Sequence, residues 1–153
     1  MDVRIVRLEP MRAAYARAMG EQPEHDAWQK LVAWAEPKGL TDRTAHRLFG
    51  FNSPNPSRAG RVYGYEIWIT VGPEVALEGG IGSRQFRGGL YAVAACAISG
   101  AQPDIHGTWM RLRAWVAASP YRRASHQWLE EHVTRPGGPW ELARLDLYYP
   151  IAT

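Results

Sequence analysis

Two stretches of this chain, 81 residues apart, carry one helical signature. Trp28, Leu31 and Trp34 in "AWQKLVAWAEPKGL" recur as Trp109, Leu112 and Trp115 in "TWMRLRAWVAASPY". The i, i+3, i+6 spacing places each trio on one side of a helix. Asp26 and Asp104 stand near the two starts, where caps and dipole-favoured acids belong. Pro37-Lys38-Gly39 and Ser119-Pro120 end the two stretches.

The strands repeat as well. "GYEIWITVG" (64–72) matches "RLDLYYPI" (144–151) at a shift of 80, which pairs Glu66 with Asp146 and Trp68 with Tyr148. Both alternate with the period of two expected of strands. "RLEPMRAAYARAMG" parallels "FRGGLYAVAACAIS", each read as two strands broken at Glu9-Pro10 or Gly88-Gly89. "HRLFGFNSP" answers to "HQWLEEHVT". Each half therefore reads strand, strand, helix, strand, strand. Repeat one covers about 2–72, a Gly- and Pro-containing connector about 73–83, and repeat two about 84–152. A half of roughly 75 residues makes a marginal core alone. The expected fold is one α+β domain, 1–153, with pseudo-twofold symmetry: two antiparallel sheets, a helix on each, and a groove between the halves, where ligands commonly bind.

Composition narrows the function. No apolar run approaches the roughly 20 residues needed to span a bilayer, and "MDVRIVRLEP" lacks a signal-peptide core. A cytoplasmic, membrane-free protein is expected. The single Cys96 can make no internal disulfide or cysteine zinc cluster. A net charge of +3, with "YRRASH" as its one short basic cluster, argues against a nucleic-acid partner. Seven Trp and seven Tyr exceed what a core of this size requires, and such rings also stack on flat organic ligands. Ser99, Ser119 and Ser125 lack the turn of a nucleophile elbow, and "GGIG" and "RPGG" lack the setting of a phosphate loop. No cofactor signature is present.

"HQWLEEHV" (126–133) is the ambiguous segment. As a strand it places Trp128, Glu130 and His132 on one face and Gln127, Leu129, Glu131 and Val133 on the other. It reads as an edge strand with solvated acids, as a metal site from His126, Glu130 and His132, or as a carboxylate recessed among rings. No further ligands support a metal.

The ordered set "YGYEIWITVG", "FRGGLYAVAAC", "TWMRLRAWVAASPY", "HQWLEEH" and "LDLYYPI" resembles the GyrI-like small-molecule-binding domains, over Val3 to Ile151. The resemblance implies a stand-alone member that binds hydrophobic, cationic aromatic molecules. It also allows a hydrolase of cyclopropanoid toxins or a gyrase-inhibitor type of protein partner. Glu130 matches the family's pocket acid, and His132 stands where an aromatic is frequent. The expected ligand-binding residues are Glu130, Trp68, Tyr148, Trp128, Tyr91, Trp109, Glu66 and His132. In the hydrolase alternative Glu130 is the general base and Tyr91 the hydrogen-bond donor.

Overall fold

The computed structural model describes residues 1–56, 60–98 and 104–153. The elements run β1 (Arg4–Leu8), β2 (Met11–Gly20), α1 (Pro23–Ala35), β3 (Leu48–Asn52), β4 (Tyr63–Thr70), β5 (Gly82–Phe86), β6 (Gly89–Ala97), α2 (Ile105–Ala117), β7 (Arg122–Arg123), β8 (Leu129–Arg135) and β9 (Gly138–Ala152). The fold is α+β with antiparallel sheet throughout the described pairings. Among the described residues no helix is long and apolar enough to cross a membrane.

The chain divides into two compact units. The first, 11–86, has strand order β3-β4-β2-β5 with α1 against β2 and β4. The second, 1–10 with 87–153, has order β1-β6-β9-β8 with α2 against β6 and β9, and β7 paired to the end of β9. Two strands are thus traded relative to the order of the chain. β1 precedes the first repeat but pairs with β6, Leu8 facing Gly89 and Arg4 facing Val93. β5, which runs from the end of the connector into the start of repeat two, pairs with β2, Phe86 facing Met11. The break at Glu9-Pro10 explains the first trade. Proline has no N–H for a ladder and restrains the residue before it, so β1 and β2 do not fold back on each other. Gly88, at φ +80°, passes over the Leu8 carbonyl, which would lie 2.3 Å from any Cβ there.

Both helices bury the same stripe. Ala27, Leu31 and Ala35 of α1 answer to Thr108, Leu112 and Val116 of α2. Each trio has the i, i+4, i+8 spacing of one helix face. The tryptophans flank that stripe and are half-buried. Asp104 caps α2, its carboxylate accepting from the Gly107 N–H at 2.9 Å. Beneath α2 the core is Ala92, Ala94, Cys96, Leu145, Leu147, Tyr149 and Ile151. Cys96 is thus a buried small residue, as its apolar setting implies. Ala14, Ala16 and Ala18, all buried, hold the corresponding places in β2, the strand under α1. Small side chains on the central strand let a helix approach the sheet closely.

Candidate functional site

Each unit has a second sheet face, turned away from its helix, and the polar and aromatic residues singled out above distribute between the two faces. In β9 the helix-side residues are Leu145, Leu147, Tyr149 and Ile151. Alternation therefore puts Asp146 and Tyr148 on the opposite face. Directly paired residues share a face. Leu129 pairs with Tyr148, Glu131 with Asp146, Glu130 with Leu147 and His132 with Leu145. Glu131 thus belongs with the ring and acid of β9, while Glu130 and His132 lie on the helix side. This reverses the expected phase of "HQWLEEHV". Trp128, just before β8, keeps the alternation with Glu130 and His132. It packs on the helix side, 4.4 Å from Tyr149 and 5.3 Å from Trp109 between ring centroids. The two sets of residues are as the alternation gave them, but the set with Leu129 and Val133, expected on the helix side for its apolar members, lies on the other face.

On the face away from α2, the Tyr148 hydroxyl donates to Glu131 Oε1 at 2.6 Å. The Tyr91 ring meets Tyr148 edge-on at 5.4 Å and His126 edge-on at 4.9 Å. The Tyr91 hydroxyl donates to the Gln127 carbonyl at 2.5 Å. Burial raises the Tyr91 phenol above its ordinary range, because a phenolate there would lose its hydration. His126 Nε2 contacts the Leu90 carbonyl at 2.8 Å, which fixes the ring beside Tyr91. Asp146, 3% exposed, takes hydrogen bonds from two arginines: Arg144 at 2.9 and 3.3 Å and Arg4 at 3.2 Å. The hydrogen bond to Asp146 holds Arg144 above its usual range.

The first unit repeats this plan with other residues. Glu66, 1% exposed, receives both nitrogens of the Arg84 fork, at 2.8 and 2.9 Å. The Trp68 indole N–H donates to the same carboxylate at 2.6 Å. Arg84 also lies over the Tyr15 ring, 4.0 Å from its centroid. Phe51 and Phe86 flank Trp68 at 5.3 and 5.5 Å. Here the traded strands matter: β5 supplies Arg84 to Glu66, and β1 supplies Arg4 to Asp146. Each buried acid is matched by an arginine from a strand that the sequence order assigns to the other half.

Of the expected ligand-binding residues, Glu66 and Trp68 lie together in the first unit, and Tyr91 and Tyr148 together in the second. Trp128 and Trp109 form a separate group beside α2, and Glu130 and His132 project to that same side. Glu131, Arg84, Arg4 and Arg144 were not expected. Glu131 was legible only from the phase of β8 against β9. The arginines gave no sequence signal beyond their charge, since their role depends on strand pairing. Among the described residues no group of three metal-ligating side chains could hold a metal. Ser99 lies outside the described residues.

Comparisons with known proteins agree with this architecture. The C-terminal domain of EcmrR superposes with a TM-score of 0.68 at 12% identity, covering 99% of this chain and 98% of that one. Against EcmrR in its complex with DNA the TM-score is 0.70 at 12% identity, and 99% of this chain spans 57% of that one. A hydrolase encoded by lin2189 of Listeria innocua gives 0.66 at 11% identity, covering 98% of this chain and 91% of that one. SAV2435 bound to tetraphenylphosphonium gives 0.62 at 14% identity, covering 99% and 94%. Identities this low show the shared fold alone. No curated protein matches the chain. The model of the Cass2 family, integron-associated effector binding proteins, matches residues 4–151, and the chain therefore belongs to that effector-binding family.

Proposed function

We propose that the chain binds a hydrophobic organic cation on the face of its second unit turned away from α2, with the half-buried Glu131 as the anionic contact and the buried Tyr148 and Tyr91 as the aromatic backing that positions it. The observation that carries this reading is the 2.6 Å hydrogen bond from Tyr148 to Glu131 on a face built of aromatic rings. Held by a phenol and partly withdrawn from water, a carboxylate attracts a bulky cation more strongly than one in bulk solvent. Asp146 and Glu66 are buried ion-pair partners that hold the strands together, whereas Glu131 is half-buried. Membership of an effector-binding family and the tetraphenylphosphonium bound by SAV2435 support the same ligand class.

The hydrolytic alternative needs Glu130 as base beside Tyr91 as donor. Tyr91 pairs with Pro150, on the face of Tyr148, whereas Glu130 pairs with Leu147 on the helix side. The two project to opposite faces of the sheet, and the Tyr91 hydroxyl is engaged by the Gln127 carbonyl. The geometry favours binding. Calorimetric titration with tetraphenylphosphonium and with neutral triphenylphosphine oxide tests it. Binding of the cation and markedly weaker binding of the oxide is expected. Equal affinity for both, or no binding of the cation, would remove the proposal.

A further inference from the structure

The two arginines of "YRRASH" take no part in the site described above. They form β7, paired antiparallel to the end of β9, Arg122 facing Ala152 and Arg123 facing Ile151. With Ala124, Ser125, Trp128 and Ala152 they line an open concavity on the second unit. Both arginines are exposed. Among the described residues neither has an acidic partner, in contrast to Arg4, Arg84 and Arg144, each of which is paired. The Arg123 guanidinium lies over the Trp128 ring, 5.1 Å from its centroid. Trp128 is itself held from behind by Tyr149 and Trp109. The β7 backbone is fixed further by the Ala124 N–H, which donates to the Pro150 carbonyl at 3.0 Å.

We infer that this concavity is a second small-molecule site, of opposite charge preference to the first, which takes a planar aromatic carboxylate. The supporting chemistry has three parts. A guanidinium matches a carboxylate with two parallel N–H donors. Arg123 shares the side of Ile151 and Trp128, and Arg122, one position earlier, alternates away and borders the concavity from the edge of β7, so that positive charge flanks it without a competing acid. The half-buried indole of Trp128 supplies an apolar wall of fixed orientation, on which an aromatic ring stacks beside Arg123. Such a ligand would extend the stack that Arg123 already makes.

The probe is 2-naphthoate, with 2-naphthylmethanol as its neutral counterpart, titrated into the full chain and followed by the indole N–H resonance of Trp128 in NMR. That resonance is assigned by its loss in Trp128→Phe. Naphthoate is expected to shift it saturably and the alcohol to shift it far less. Arg122→Ala and Arg123→Ala should each weaken naphthoate by about tenfold, the scale of a lost charge-assisted hydrogen-bond pair at a solvent-open site. Arg123→Lys should recover only part of the loss, because the ammonium keeps the charge without the fork. Tetraphenylphosphonium binding should be unchanged in all three variants, which separates this site from the cation site. The inference fails if naphthoate leaves Trp128 unmoved, if acid and alcohol shift it alike, or if neither alanine variant weakens the acid.

Discussion

Glu66 and Asp146 occupy equivalent places in the two repeats yet depend on their arginines to different degrees. Glu66 has one arginine, Arg84, and the Trp68 indole. Asp146 has two, Arg144 and Arg4. Removing one partner of a buried ion pair leaves a charge without compensation, at a cost of about 3–5 kcal/mol when nothing replaces it. Both arginines are substantially exposed, so water screens part of that loss. Arg84→Ala is therefore expected to lower stability by about 1–3 kcal/mol and Arg4→Ala by under about 1 kcal/mol, since Asp146 retains Arg144. Urea denaturation of the two variants checks the order; a larger loss from Arg4→Ala would show that the second arginine is not redundant. His132 makes a separate residue-scale statement. Desolvation pushes its imidazole down to about 4, so the folded state keeps it neutral. In the unfolded chain it titrates near 6.5. Between these values the unfolded state binds the extra proton, so stability falls as pH drops from about 6.5 toward 4, by at most about 3 kcal/mol. His132→Asn should flatten that slope. An unchanged slope would assign the acid sensitivity to other groups.

At the scale of elements, the helices and strands were largely legible, while the phase of one strand was not. The Trp-Leu-Trp spacing located both helices and identified Leu31 and Leu112 as their buried centres. The breaks at Glu9-Pro10 and Gly88-Gly89 fall between β1 and β2 and between β5 and β6, as read. In β8, alternation alone does not say which set of residues faces which way. Leu129 looked like helix-side core because it is apolar, but it is buried against Tyr148 on the other face. Hydrophobicity fails as a guide there because both faces of this sheet are buried at β9, where Leu145 through Ile151 are all inaccessible. Two substitutions probe the elements themselves. Asp104→Ala removes the α2 cap and should cost about 1 kcal/mol. Leu112→Ala, at the centre of the α2 contact, should cost about 2–5 kcal/mol. Thermal unfolding of both measures the difference, and equal losses would mean that α2 is held mainly by its end.

For the whole molecule, the internal repeat specified the α+β class and the two sheet-plus-helix units, because periodic patterns report local structure directly. The exchange of β1 and β5 was not legible. Strand pairing between distant segments leaves no local signature in either partner, and the arginines that seal the exchange, Arg4 and Arg84, look like ordinary surface charges in sequence. The site suffered from the same limit. Trp68, Tyr148 and Tyr91 were identified as rings of interest, but the carboxylate beside Tyr148 depends on register, and register turns Glu131 rather than Glu130 toward it. The choice between those two adjacent glutamates is therefore the most direct test of the proposed binding function. Tetraphenylphosphonium and triphenylphosphine oxide are titrated into wild type, Glu131→Gln and Glu130→Gln. Loss of the charge at Glu131 should weaken the cation by about 1–3 kcal/mol, below the range for a fully buried pair because Glu131 is half-buried, and leave the oxide nearly unaffected. Glu130→Gln should change neither by more than about 0.5 kcal/mol. A larger loss of the cation in Glu130→Gln than in Glu131→Gln would contradict the register-based assignment and return the charge to the helix side.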